Sequence, residues 1–570
     1  MAVEVIAGLP LIDLKVKERV NAENGGGEVY EQDERKMMEN EWPDNTVPHT
    51  TTITNRLSPS ILTTMISFLT LGLIACILMV LVVTAIFNQK KQEVISADLP
   101  REPPSPAKLP LIGHLHLLGG YEVPYQAFTD LRNKFGDVVK LQLGSVKCVV
   151  VNEQKKIREV LVTRGHHFDC RPNFERYQRL FSGNKENSLA FCDWSTTQKT
   201  RRDMLKAYTF PRAFTNKFIS LDNLISSTSQ RLVYQIQNDG LSVELKPLLM
   251  RACADIFLTH FCSKSFTWVD SNFGKMVEDF DEVFYEVNQG YAADFLPFLL
   301  PLHQRKMQRM NALTHEIRNF VNTEVIKNKF ETYDVDLEPS DYLESLIRYV
   351  KMQNNNDDQK HSSMDWETAL FALEDIIGGH CAVGNFLTRL FAFLVHEPQV
   401  QQKIQKEIDT FIGSERAVSI SDRNQLVYTE AVIYEAIRLI SSPIVPRVAN
   451  QTSSIGGYKI EKGTVLFLNN YHLNMSEQLW ESPEKFVPER FIRQEKLFKP
   501  EHFLPFGGGR RSCMGYKLVQ LISFGILAAV MQNFNLKPLE CENYRIPGGS
   551  LAIKKKTFSF KLEQRSTEQQ

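Results

Sequence analysis

Little in this chain ties it to nucleic acid, to a metal cluster or to an oxidising compartment. Its 66 Lys and Arg are offset by 67 Asp and Glu, a formal charge of −1, so it lacks the basic excess with which a nucleic-acid binder neutralises phosphates. Its nine cysteines contain no C-x-x-C pair and are odd in number, which excludes a zinc-ribbon spacing and argues against a disulfide framework. No internal repeat is visible. The N-terminal residues are too acidic for a mitochondrial transit peptide and lack a secretory-signal layout. What the chain does have is 43% apolar residues over 570 positions, enough for a substantial core in one large domain or two or three ordinary ones.

Ile61 to Phe87 contains no charged residue. At about 1.5 Å per residue it spans roughly 40 Å against roughly 30 Å of hydrocarbon, so it can cross a bilayer with tilt. A buried core helix is the competing reading, disfavoured by that length without one charge. Lys90, Lys91, Arg101 and Lys108 follow the span, whereas Arg56 alone closely precedes it; the positive-inside bias then puts the C-terminal part in the cytosol. Residues 1–60 are rich in Glu, Asp and Asn, a composition expected of a disordered acidic extension. Residues 88–110 end in Arg101-Glu-Pro-Pro-Ser-Pro-Ala-Lys-Leu-Pro110, where each proline fixes its own φ and biases its predecessor away from helix, giving a stiff linker.

From Leu111 onward strand-like stretches are few and short: Val138 to Leu143, Cys148 to Val151 and Thr464 to Leu468. Helical periodicity dominates elsewhere, above all from Asp365 to Val395, then after Glu397-Pro398 from Gln399 to Phe411. The expectation is one large, mainly α domain with a small β part over 111–562, followed by a tail at 563–570.

Phe506, Gly509, Arg511, Cys513 and Gly515 stand in the pattern F-x-x-G-x-R-x-C-x-G, followed by a helical run from Tyr516 to Met531. Glycines let backbone amides approach one atom closely, and a helix start adds N–H donors and a positive dipole end. Together these hold a cysteine as thiolate. A glycine loop with an inert buried cysteine would rarely match at five positions.

This pattern resembles that of the cytochromes P450, and the resemblance extends over roughly Pro103 to Lys561. It implies the P450 fold, haem held by the Cys513 thiolate, and Arg511 pairing with a haem propionate. Pro103 to Gly113 resembles the membrane-proximal proline strap. Glu435-Ala-Ile-Arg438 and Pro488-Glu-Arg-Phe491 resemble two further landmarks, implying a structural triad of Glu435, Arg438 and Arg490. Arg447, after Pro443-Ile-Val-Pro446, falls where the family reaches a propionate, and Trp194 matches a helix tryptophan that does the same. Four positions after it the usual basic residue is Gln198, leaving Lys199 or Arg201 to take over. Arg201, Arg202, Lys206 and Lys517 offer either a docking patch for an acidic electron donor or a solvated basic face.

Within the long helix the family's oxygen-activation motif runs small residue, glycine, any residue, acid, threonine. This chain has Gly378-Gly379-His380-Cys381-Ala382, so the groups that normally relay protons are replaced. Gly379 keeps its place, and His380 is a candidate relay or a packing residue, with Asn385 a weaker candidate. The loss leaves three readings open: an oxygenase whose substrate hydroxyl and water supply the relay, an enzyme that rearranges or dehydrates an oxygenated lipid without dioxygen, and a non-catalytic haem protein.

The string Glu374-Asp-Ile-Ile-Gly-Gly-His-Cys-Ala-Val-Gly-Asn385 resembles the insect Spook/Spookier subfamily of ecdysteroid synthesis. That resemblance implies a sterol substrate near 7-dehydrocholesterol, an endoplasmic-reticulum anchor and electrons from NADPH through a reductase. Ile377, Ile444, Val445 and Leu551 are the expected walls of an apolar substrate pocket.

Overall fold

In the computed structural model, residues 79, 101–238, 240, 242–354, 365–553 and 559–565 are described. The acidic extension lies outside the described residues. So does the expected span, save Met79, which is helical and exposed. By contacts the chain forms two units, and the described residues from Arg101 onward fall in the first. The sheet and the helices of the site belong to the first unit.

The longest expected strand is present at its expected bounds. Strand β1 (Val138–Leu143) pairs antiparallel with β2 (Val146–Val151), the turn between them using Gly144 at φ 53°. Strand β3 (Arg447–Val448) pairs antiparallel with β4 (Val465–Leu468), and β2 runs parallel to β4, giving the order β1-β2-β4-β3. Alternation sends Val139, Leu141, Val150 and Phe467 into one apolar cluster, and Val138, Val149, Val151 and Leu466 into another. Burial on both faces explains why the second half of β2 and all of β4 read as apolar runs, whereas β1 alternates through part-exposed Lys140 and Gln142. The proline stretch is not a free linker in its second half. Pro103 is buried, the Pro104 carbonyl accepts from Lys140 N–H on β1 at 2.9 Å, and buried His114 ties Pro106 O to Gln142 N–H.

The helices that position the site are α1 (Thr196–Thr209), α2 (Asn216–Asn238), α3 (Leu245–Cys262), α4 (Ser271–Asn288), α5 (Trp366–Leu394), α6 (Pro398–Phe411), α7 (Val427–Ile440) and α8 (Tyr516–Asn533). Helix α5 begins where its sequence says it should: the Asp365 side chain caps it, accepting from Thr368 N–H at 2.8 Å. Among the described residues it alone is long and apolar enough to cross a membrane, but its surface is buried in protein, as a core helix requires. It packs most extensively on α3, where a Cβ on Gly384 would meet Met250 Sδ at 2.3 Å. Glycine there permits the close helix–helix approach.

Candidate active site

The cysteine loop is shaped by two glycines at positive φ. Gly507 has φ 68° and Gly509 φ 66°, and a Cβ on Gly509 would lie 2.0 Å from Leu161 O. The loop closes through Cys513 N–H donating to Phe506 O at 3.0 Å, and α8 starts three residues later with Gly515 as its N-cap. The Gly515 and Tyr516 amides donate to the Cys513 sulfur. Cys513 is accessible to solvent-sized contact yet surrounded densely enough that burial pushes its thiol pKa up, while those amides and Arg202 pull it down. A sulfur both accessible and enclosed faces an interior cradle. There a metal cation on the sulfur would remove its proton outright.

Around this loop lie four guanidiniums with no carboxylate bonded among them. Arg447 donates to Arg511 O at 3.2 Å, Arg511 to Cys192 O at 2.6 Å, Arg202 to Ser512 O at 2.7 Å, and Arg171 to Val445 O and Pro446 O at 2.9 and 3.0 Å. Buried Arg447 Nε and Nη1 and Arg511 Nε have no partner. Burial, then Arg511 and Arg202, push the Arg447 pKa down to about 9; burial, then Arg511, bring Arg202 to about 10. Arg171 falls well below its ordinary value through burial and the charges of Arg447 and Arg511. Such a cluster is stable only beside an anion. A haem with two propionates over a soft-metal thiolate fits both halves of the cradle.

Several expected residues stand elsewhere. Trp194 precedes α1, whose N-cap is Ser195, and stacks under Arg510 at 4.9 Å. Lys199 is exposed on α1. Arg201 is buried but turns to the Asn187 and Glu186 carbonyls, and Gln198 to Leu189 O. Arg202, one residue on, is the α1 cation that reaches the cysteine loop. Arg171 gives no sequence signal, because a lone arginine between Cys170 and Pro172 has no spacing to read.

Between its two ends α5 retains accessible surface along one stripe, Asp375, Gly378, Gly379 and Ala382. These positions follow the i, i+3, i+4, i+7 rule and share one face. Hypothetical Cβ atoms on Gly378 and Gly379 would meet Phe280 and Phe257, each at 3.0 Å. His380 lies about 200° around the helix from Ala382. It is fully buried, its Nδ1 is 2.7 Å from Ile377 O, its Nε2 is 3.4 Å from Cys381 Sγ, and burial lowers its pKa to about 4. Its ring packs edge-on against Phe280 and Phe257, at 5.4 and 6.5 Å between centroids, and a neutral imidazole so held fits the packing role of its two readings. Ile377 is likewise fully buried, off the stripe, and does not line it. Ile444 packs beside Gly507, whose Cβ would approach it at 3.6 Å, while Val445 and Leu551 are half-buried. Asp375, the stripe's one acid, accepts from Ser188 Oγ at 2.8 Å and Leu189 N–H at 2.6 Å.

Glu435 and Arg438 form a fully buried bidentate pair at 2.7 and 2.8 Å, and Arg490 Nε donates to Glu435 Oε1 at 3.2 Å. Arg438 also donates to the Asn474, Pro483 and Lys485 carbonyls. The triad thus ties α7 to the chain that leads into the cysteine loop.

A family model for cytochrome P450 matches residues 103–562. The chain is a cytochrome P450. Consistent with that, it is 35% identical over 490 residues to Cytochrome P450 307a1 of Drosophila melanogaster, covering 81% of this chain and 89% of that protein. It is also 28% identical over 485 residues to the Steroid 17-alpha-hydroxylase/17,20 lyase of Ictalurus punctatus, covering 83% and 91%, and 30% identical over 450 residues to that of Cavia porcellus, covering 76% and 86%. This P450 is therefore a haem-thiolate monooxygenase of a family supplied with electrons from NADPH by a reductase.

Proposed function

We propose that this P450 oxidises a sterol bearing a hydroxyl group, near 7-dehydrocholesterol, at an early step of ecdysteroid synthesis. It works from the endoplasmic-reticulum membrane, with its catalytic domain in the cytosol and a reductase as partner. The observation that carries the reading is the accessible stripe of α5. Gly378, Gly379 and Ala382 carry no group that can give a proton, and the Phe280 and Phe257 rings that meet the two glycines make the surroundings of this stripe apolar, as a sterol requires. The similarity to the Drosophila protein and to the two steroid hydroxylases supports a sterol.

Cys513 would hold the haem iron, with Arg447, Arg511, Arg171 and Arg202 on the propionate side. Haem ligated by a thiolate supplies dioxygen activation and insertion of one oxygen atom into a C–H bond. The Gly515 and Tyr516 amides hold negative charge on the sulfur. Val445 and Leu551 exclude water from the ligand's apolar faces. Asp375 cannot deliver a proton readily while it is bonded to Ser188 and Leu189, and Ala382 has no hydroxyl. The substrate's own hydroxyl, directly or through a water, then takes the place of the missing proton relay. A sterol panel tests this with purified enzyme and reductase. Sterols carrying the hydroxyl should be oxidised with NADPH consumption matching product, and their deoxy analogues should bind but consume NADPH as peroxide. Equal coupling for both sets refutes the substrate-assisted reading.

A further inference from the structure

A closed polar ring is buried one turn beyond Cys381 and joins four separate segments. Asn385 on α5 donates through Nδ2 to Asp281 Oδ1 on α4 at 2.9 Å, and to Cys381 O at 2.9 Å. Its Oδ1 accepts from Ile553 N–H at 3.1 Å. Lys246 at the start of α3 donates to Asp281 Oδ2 at 2.6 Å and to Ile553 O at 3.0 Å. Both polar groups of the Ile553 residue are therefore captured, one by an amide and one by an ammonium. One turn further along α5, Arg389 donates to the Ser550 and Pro547 carbonyls. All four side chains are buried.

A buried ion pair gives no clear stability advantage over apolar residues of similar volume. What this ring supplies is geometry: each bond specifies one backbone position to within a few tenths of an ångström. Leu551 sits between the two pinned points, half-buried. Asp281 is one residue from Phe280, which packs against Gly378 on the stripe. The ring thus holds in register α4, which carries Phe280 onto the stripe, and the 547–553 segment, which carries Leu551.

We infer that Asn385, with Lys246 and Asp281, is a positioning device for the substrate cavity, setting the spacing between the Phe280 wall and the Leu551 wall and hence the size of ligand accepted. The inference rests on the proposed reading of the stripe as the substrate-facing surface. Asn385 acts through Ile553 and Asp281, not on the substrate itself.

The test uses the haem-loaded full chain and two azole probes read by the shift of the haem absorption band. Imidazole needs only the iron, whereas the triphenylmethyl imidazole clotrimazole must also fit between the walls. In Asn385→Ala, clotrimazole should bind at least fivefold more weakly or more tightly than in the parent, while imidazole changes less than twofold. Deuterium uptake should rise in peptides covering 547–553 and 277–285 and stay unchanged over 138–151. The double exchange Lys246→Met with Asp281→Leu, which opens the ring without leaving a lone buried charge, should reproduce the selective effect should Asn385→Ala fail to fold. Parallel changes for both azoles, or no added uptake at 547–553, overturn the inference. Failure of imidazole to shift the band of the parent protein overturns the site assignment beneath it.

Discussion

Replacing Glu435 by Gln keeps the shape of the side chain and removes the one anion between two guanidiniums. Arg438 is fully buried and Arg490 is only 10% exposed at its side chain. After the exchange Arg438 keeps the Asn474, Pro483 and Lys485 carbonyls, so its hydrogen bonds are mostly satisfied and the loss is one of charge compensation. Breaking a buried pair from one side costs about 3–5 kcal/mol. A fold of roughly 460 residues has an unfolding entropy near 1 kcal/mol per kelvin at its midpoint, so the melting temperature should fall by about 3–5 °C. The Glu481–Lys485 carbonyls, which both arginines hold, should loosen first, and this segment precedes the cysteine loop. Calorimetry together with haem content measures both effects. A melting shift below about 1 °C with full haem occupancy would show that the backbone carbonyls alone hold the two arginines, refuting the role given to the carboxylate.

Arg447→Met should speed haem loss about tenfold while leaving the haem-free protein as stable as the parent or more so, since it relieves repulsion with Arg511 and Arg202; haem transfer to apomyoglobin and apoprotein melting separate the two. Gly509→Ala should destabilise the fold by more than about 2 kcal/mol, because its Cβ would lie 2.0 Å from Leu161 O at φ 66°, and haem content should fall with it. His380 titrates near 4 in the fold against about 6.5 unfolded. The folded state binds fewer protons, so this contribution is complete above pH 6.5 and is lost as pH falls towards 4. The loss is about 2 kcal/mol at pH 5. Urea unfolding at pH 7 and pH 5 should show it, and His380→Leu should remove this share, leaving the comparable acid sensitivity of His472, also near 4.

Much of this architecture is legible in the sequence alone. Helix α5 follows from periodicity over a long window that begins at Asp365, and β1 from a strand-like stretch between Asp137 and Gly144 in which apolar residues alternate with Lys140 and Gln142. Strands of two or three residues, such as Arg447–Val448 and Tyr458–Ile460, carry no period and exist because a neighbouring strand pairs with them. On the site, residues grouped within ten positions are readable, as around Cys513. Azimuth on a helix decides the failures: Ile377 and His380 lie close to the stripe in sequence but off its face. Counting from Trp194 points to Gln198, with Lys199 or Arg201 in its stead, and passes over Arg202, because it assumes that the tryptophan is helical, and it precedes α1. Arg171 and the Lys246–Asp281–Asn385 ring leave no sequence signal, since their partners come from segments far apart in the chain.

On the proposed reading, this P450 lacks an acid–threonine pair and inserts oxygen by borrowing a proton path from its sterol. The most direct measurement is turnover of a hydroxyl-bearing sterol under 18O-labelled dioxygen with reductase and NADPH, followed by mass spectrometry of the product. The expected result is one labelled oxygen atom per product molecule and loss of product when either dioxygen or NADPH is withheld. Unlabelled product formed at the same rate without dioxygen or NADPH would contradict the claim and establish rearrangement or dehydration instead.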